Sequence, residues 1–143
     1  MKAQALLVQL QSMFLRPRVV HRLPGRVRLH LPALKQVDHV QQEWAFVWRD
    51  LLGSVDEIET VEVNPTTGSI LIQYHADQLT ESELLAYLQA VNRLALRHWD
   101  RLAAIPPAKL PHVLRRLVRA VRAGTRHRLA LDDKLEISED VWA

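Results

Sequence analysis

The run EIETVEVNPTTGSILIQY, residues 57–74, contains two stretches typical of β-strands, separated by a turn. The strands are Glu57–Val63 and Ser69–Tyr74. In the loop between them, Pro65 fixes φ and Gly68 can adopt the positive φ of a bulged hairpin loop. The sequence therefore predicts an antiparallel β-hairpin near the centre of the chain.

A further strand precedes the hairpin. From Gly25 to Leu31, apolar and polar residues alternate strictly, which is the period of a strand buried on one face. Pro24-Gly25 supplies the turn in front of this strand. The polar face consists of Arg26, Arg28 and His30, and the apolar face consists of Val27, Leu29 and Leu31. We therefore predict a strand with a cationic open face.

The spacing of the two arginines on this face suits the binding of a ligand or partner. Arg26 and Arg28 lie about 7 Å apart at ~3.3 Å per residue. Forked guanidinium donors so placed suit carboxylates, phosphates or exposed carbonyls. The alternative is that they pair within the fold, with Glu59 or Glu62 on the acidic hairpin.

Helical patterns alternate with these strands. Residues 36–52 carry an apolar stripe that ends at Gly53, and the run TESE at 80–83 is a capping box that opens a second helix. Residues 18–95 thus predict strand, helix, strand, strand, helix. A fourth strand would complete an α+β, ferredoxin-like βαββαβ sheet with two helices on one face. Its position stays open, since Leu129–Ile137 is the only later stretch with any alternation.

Amphipathic helices flank this unit. A short one is predicted near the N-terminus, and Lys109–Ala123 is the clearest helix of the chain. Its stripe is Leu110, Val113, Leu114, Leu117, Val118 and Val121, and its other side carries Arg115, Arg116, Arg119 and Arg122. Either the stripe packs on the core, or the helix lies in a membrane interface with its arginines on anionic headgroups.

The predicted organisation has four parts, and charge is segregated along it. They are an N-terminal amphipathic helix (1–17), a ferredoxin-like domain (18–95), a basic helical extension (96–128) and an acidic tail (129–143). Residues 1–34 carry +6, 35–100 carry −7, 101–130 carry +8 and 131–143 carry −4. Such alternation indicates segments of opposite sign that meet one another, or that meet different partners.

Composition excludes several classes of function. The chain of 143 residues has no cysteine, which removes thiolate nucleophiles, CxxC redox pairs and cysteine-ligated metals. It has four glycines and none of the phosphate-binding, HExxH or GxSxG motifs, so we predict neither an enzyme nor a cofactor. The seven histidines form no recognisable ligand set, although a His/carboxylate site assembled across the fold stays an alternative.

The compartment is predicted from the lack of targeting signals. The apolar runs are shorter than the ~20 residues of a membrane span, and the first residues do not have the pattern of a signal peptide. We expect a cytoplasmic protein, with a peripheral membrane position or an intracellular compartment as variants of that expectation.

Two runs carry a family resemblance. VVHRLPGRVRLHLPAL, residues 19–34, and VDEIETVEVNPTTGSILIQYH, residues 55–75, followed by the capped helix, resemble the divergent heavy-metal-associated (HMA-like) domain at the N-termini of certain metal-transporting P-type ATPases. The resemblance covers about residues 18–95. Its most specific pieces are the PGRxRL strand and the NPxTGSxLI hairpin.

The resemblance implies a ferredoxin-like domain in bacterial metal handling, similar to ATPases linked to intracellular iron storage compartments. It implies a protein partner, either a metal-transporting ATPase or a compartment component. Carried over by position, the partner-binding residues are Arg26, Arg28, Leu29 and Asn64, with His30 beside them on the strand. The loop Pro32–Lys35 lacks CxxC and the chain lacks DKTGT, so a non-enzymatic regulatory, scaffolding or adaptor role is expected rather than transport.

Two other functions stay open. One is binding of anionic lipid or nucleic acid through Arg115, Arg116, Arg119 and Arg122; the other is metal binding by histidines and carboxylates. Nucleic acid is the weaker partner, because the predicted strands offer only Tyr74 for base stacking. The apolar N-terminal helix also fits a contact between copies of the chain.

Overall fold

The computed structural model describes residues 18–30, 46–53, 55–64, 66–106, 108–132 and 134–143. The predicted N-terminal helix and the first part of the predicted helix 36–52 lie outside these residues. The elements are β1 Arg18–Leu23, β2 Arg26–His30, α1 Phe46–Leu52, β3 Ile58–Asn64, β4 Ser69–Tyr74, α2 Glu81–Arg97, α3 Trp99–Ala103 and α4 Leu110–Gly124. Two 3-10 turns follow, at His127–Leu129 and Glu139–Trp142.

The strands form one four-stranded sheet in the order β1-β2-β4-β3, and every neighbouring pair is antiparallel. β2, β3 and β4 with α1 and α2 take the places predicted for the ferredoxin-like unit, so the α+β fold class is confirmed. The fourth strand is β1, which precedes β2 in the chain and pairs with its outer edge. The described part of Leu129–Ile137 joins no strand of the sheet.

A tight turn places β1 in this position. Leu23 pairs with Arg26, so Pro24 and Gly25 alone connect the two strands. Gly25 has a φ of +75°, and a Cβ at this position would lie 2.8 Å from the carbonyl oxygen of Tyr74. The Tyr74 amide donates to the Gly25 carbonyl at 2.9 Å, which ties the turn to the end of β4. Glycine meets both requirements because it has no side chain.

The core lies between one face of the sheet and the helices. The sheet contributes the fully buried Val27, Leu29, Ile70 and Ile72, and α2 contributes Leu84, Tyr87 and Leu88. The apolar stripe of α4 joins them, with Leu110, Val113, Leu114, Val118 and Val121 buried. The core-packing interpretation of this helix is therefore confirmed. Among the described helices, none combines the length and the hydrophobicity that a membrane span requires.

The predicted capping box opens α2. The Glu83 amide donates to the Thr80 hydroxyl at 3.1 Å, and the Thr80 amide donates to the Glu83 carboxylate at 3.0 Å. These reciprocal hydrogen bonds satisfy two amides that the first helical turn leaves without partners. α2 therefore begins where the sequence predicts.

The described residues of the C-terminal tail, 126–132 and 134–143, run back over the helices. Arg97 of α2 donates to the Leu135 carbonyl, and Arg101 of α3 pairs with Glu139 at 2.6 and 2.8 Å. Arg101 also lies 4.9 Å from the centre of the Trp142 ring. Arg116 of α4 donates to the carbonyls of Val141 at 3.0 Å and Ala143 at 2.9 Å. Arginines of the helices thus bind the C-terminal tail within one fold. Contact between segments of opposite charge is one of the two outcomes that the segregation of charge indicated.

Candidate functional site

The face of the sheet away from the core, here called the open face, carries the arginines of β2. Along β2, the buried Val27 and Leu29 alternate with Arg26, Arg28 and His30. The strand register places these three residues beside Gln73, Leu71 and Ser69 of β4. β3 continues the same rows with Thr60, Glu62 and Asn64. The predicted cationic face is therefore present on β2, an inner strand between β1 and β4.

Arg26 and Arg28 do not pair with the acidic strand. β4 lies between β2 and β3, so two strand spacings, roughly 9.5 Å, separate each arginine from β3. Within the described residues, neither guanidinium forms an ion pair with Glu59 or Glu62, and the Nε of Arg26 is buried without a hydrogen-bond partner. Among the described residues, these two cations therefore have no carboxylate partner.

The neighbouring strand shows the contrast. Arg22 of β1 lies 3.3 Å from the carboxylate of Glu81 at the start of α2, which is on the helix side of the sheet. Its charge is thus compensated within the fold. The arginines on the two sides of the sheet differ in role although they belong to one short basic run.

Apolar side chains lie among the cations of the open face. Leu23 is 52% exposed, and its backbone pairs with Arg26. Leu71 is half-buried between Arg28 and Glu62. Neither leucine is among the residues predicted for this face, although the alternation along β4 places Leu71 there. The surface offers two cations together with apolar contacts, a combination found at protein interfaces.

Two of the residues carried over from the resemblance have other positions. Leu29 is 0% exposed and belongs to the core, so a partner on the open face cannot reach its side chain. Asn64 accepts hydrogen bonds from the amides of Thr66 at 3.0 Å and Thr67 at 3.4 Å. Its carboxamide oxygen therefore closes the β3–β4 loop, as asparagine does in an Asx turn. Arg26, Arg28 and His30 are the members of the predicted set whose side chains form the face itself.

The structure separates the four arginines of α4. Arg116 is half-buried and holds the tail carbonyls, whereas Arg119 and Arg122 line a cleft. Arg115 is exposed. The four arginines therefore do not form one continuous cationic surface, and the apolar stripe of their helix is occupied by the core.

A cluster of charged residues, Glu57, His127 and Arg128, lies at the cleft just before β3. Glu57 is 8% exposed. Its carboxylate accepts a hydrogen bond from the backbone amide of Arg128 at 3.1 Å and lies 3.3 Å from Nδ1 of His127. Burial raises the pKa of Glu57. The hydrogen bond from the Arg128 amide and the charges of His127 and Arg128 lower this pKa by a larger amount, so the net shift is downward. No local sequence pattern could reveal this cluster, because Glu57 and Arg128 are 71 residues apart.

The described residues do not supply a metal site. No three histidine, aspartate or glutamate side chains in these ranges lie close enough to hold an ion, and the chain has no cysteine. Burial and the charges of Arg97 and Arg101 lower the pKa of His98, which keeps it neutral, but the same charges oppose a cation there. The donors described therefore do not fit a heavy-metal ion.

The open face also differs from an RNA-binding sheet. Tyr74, the aromatic residue predicted on a strand, is 6% exposed and packs in the core. The open face therefore has no aromatic side chain among its described residues on which a base could stack.

Comparison with known proteins gives one family. A family model described as heavy metal associated domain 2 matches residues 15–121, which include all four strands and most of α4. No curated protein and no solved structure matches the chain.

Proposed function

Because the chain belongs to the heavy metal associated domain 2 family, we propose that it is a non-enzymatic adaptor in bacterial metal handling that binds a protein partner through the open face of its sheet. The observation that carries the proposal is the pair Arg26 and Arg28, which face outward without ion-pair partners among the described residues. The lack of cysteine and of a described ligand set favours an adaptor over a metal carrier.

The chemistry of this face defines the partner. Two guanidiniums about 7 Å apart on one strand fit a segment that presents two carboxylates or carbonyls at a similar spacing. Leu23 and Leu71 would contact apolar side chains of the same segment. We propose an acidic, partly apolar segment of a metal-transporting ATPase or of an iron storage compartment as this partner, with iron as the metal being handled.

The test uses purified candidate partners encoded beside this chain. The cytoplasmic domains of a metal-transporting ATPase, or a compartment shell protein, are titrated with the wild type and with the double variant Arg26→Ala/Arg28→Ala in a calorimeter. We expect the double variant to bind at least about tenfold more weakly, because each lost charged contact at an interface costs on the order of 1–3 kcal/mol.

A charge-matched control separates this surface from general attraction. Lys109→Ala/Lys134→Ala removes the same two positive charges from exposed positions outside the sheet and should bind like the wild type. Equal binding by the arginine variant and the wild type would reject the open face as the contact surface. Circular dichroism of both variants verifies that the fold is kept.

The described residues give no support to insertion of α4 into a membrane or to a metal site. The stripe needed for insertion into a membrane is buried, and no group of three metal-binding side chains is present there. Metal analysis of untagged protein tests the second alternative directly. Stoichiometric metal retained through purification would favour a binding protein over an adaptor.

A further inference from the structure

A cleft of about 630 Å³ opens between the end of α4 and the segment before β3. One wall consists of Val55, Asp56 and Glu57, and the other consists of Arg119, Arg122, Ala123, Thr125, Arg126 and His127. This volume is within the range of small-molecule sites, roughly 300–1,000 Å³. The cleft is remote in sequence from the arginines of the open face.

Three arginines line the same wall of this cleft. Arg119 and Arg122 are three residues apart on α4, a spacing that places them on one side of the helix. Arg126 follows just after the helix ends, and the turn beginning there directs the chain along the cleft. In the part of the chain that the structure describes, their guanidiniums form no hydrogen bond or ion pair.

The carboxylates of the opposite wall do not neutralise these arginines. Glu57 is buried and directs its carboxylate to the Arg128 amide and to His127. Asp56 is exposed and forms no ion pair within the described ranges. The positive charge of the cleft therefore exceeds the negative charge that faces it.

We propose that this cleft binds a phosphate group, held by Arg119, Arg122 and Arg126. Guanidiniums bind phosphate oxygens in a forked geometry, and three of them match a dianion better than the single charge of a carboxylate. The proposal is independent of the sheet surface, because it uses other residues and a ligand of another class. The group could belong to a soluble phosphate compound or to a lipid headgroup, and the experiment separates these sources.

The first measurement is a titration of the full chain with inorganic pyrophosphate by calorimetry at low salt, with inorganic phosphate as a second probe. We expect saturable binding that Arg119→Ala/Arg122→Ala weakens by about tenfold or more, since two charge-assisted contacts are lost. Lys109→Ala/Lys134→Ala, with the same loss of charge outside the cleft, should bind within about twofold of the wild type.

A variant that is expected to strengthen binding distinguishes a loss of the site from a loss of the fold. Asp56→Asn removes a negative charge from the facing wall and should strengthen pyrophosphate binding, which a misfolded cleft could not do. Absence of saturable binding by the folded wild type, or equal weakening by the arginine and lysine variants, would overturn the site.

Vesicles identify the source of the phosphate group. Phosphatidylglycerol vesicles that bind the wild type but not Arg119→Ala/Arg122→Ala support the site with a lipid headgroup as ligand. Pyrophosphate binding without vesicle binding supports the site with a soluble ligand. Vesicle binding that the arginine variant retains in full, together with unchanged pyrophosphate affinity, overturns the proposal.

Discussion

Arg128 and Glu83, 45 residues apart in the chain, form a two-pronged ion pair that fixes the tail to the start of α2. The Nε of Arg128 lies 2.6 Å from one carboxylate oxygen, and its Nη2 lies 2.5 Å from the other. Arg128 and Leu129 have φ values of +60° and +58°, a left-handed conformation that is uncommon outside glycine. The contacts of Arg128 with Glu83 and Glu57 offset the cost of this conformation.

Arg128→Ala should loosen the tail. Both hydrogen bonds to Glu83 are lost, while the left-handed backbone keeps its cost, so we expect a lower Tm and faster amide exchange over residues 127–129. Differential scanning calorimetry and hydrogen exchange measure these two effects. Arg126→Ala is the control, because its side chain makes no described hydrogen bond. If both variants exchange alike at Leu129, the ion pair does not hold the tail.

Stability should fall in acid through Glu83. The hydrogen bond from the Arg128 side chain is the main cause that lowers the pKa of Glu83 from 4.5 to about 2. A carboxyl whose pKa is lower in the folded state stabilises the fold fully above its unfolded value, and this contribution is lost as the pH falls from 4.5 toward 2. Urea unfolding of the wild type should therefore become easier across this window.

The variant Glu83→Gln isolates the contribution of this carboxyl. It has no titrating group at position 83, so its stability should depend less on pH in the same window, although Glu57 and Glu139, whose pKa values are also lowered, still contribute. Parallel pH profiles for Glu83→Gln and the wild type would contradict the assignment.

Gly25→Ala should destabilise the sheet by about 1–3 kcal/mol, because a positive φ is strained for alanine and its Cβ would approach the Tyr74 carbonyl. Equilibrium unfolding in urea gives the free energy. Pro24→Ala changes the other residue of the same turn without adding a side chain at the positive φ, and it should cost less. A Gly25→Ala variant as stable as Pro24→Ala would show that the turn does not require glycine.

Arg116→Ala should release the end of the tail. Its side chain is the hydrogen-bond donor to two tail carbonyls, and a partly buried donor of this kind contributes on the order of 1–3 kcal/mol. We expect earlier proteolytic cleavage near Val141 in the variant. Arg119→Ala, one turn nearer the helix end and without a described hydrogen bond, serves as the comparison. Cleavage at the same rate in both variants would exclude Arg116 as the residue that holds the tail.

Local patterns allowed much of the fold to be predicted from the sequence. The alternation after Gly25, the β3–β4 loop, the capping box and the stripe of α4 all depend on residues within a few positions of one another. β1 escaped prediction because its register shifts between Val19 and His21, which breaks the regular alternation of a strand. The alternation of β2 identified β2 as a strand, but the edge at which a fourth strand completes the sheet depends on tertiary pairing.

The open face and the cleft also differ in how far the sequence allowed them to be predicted. The positions of Arg26 and Arg28 on the polar face follow from alternation along a single strand, so they could be predicted. The cleft could not be predicted, because Arg126 and Asp56 come to line it together only after the chain has folded back from the end of α4. The contact of Glu57 with Arg128 depends on a left-handed backbone at Arg128 that no residue type signals.

The position of β1 has a consequence for the order in which the chain folds. All four described strands lie between Arg18 and Tyr74, so the whole sheet precedes α2 in the chain. The edge strand closes over a two-residue turn rather than over a crossover helix, which lowers both the closure entropy and the mean sequence separation of native contacts. The strands can therefore pair early in folding, and α2, α4 and the tail then cover the apolar face of the sheet.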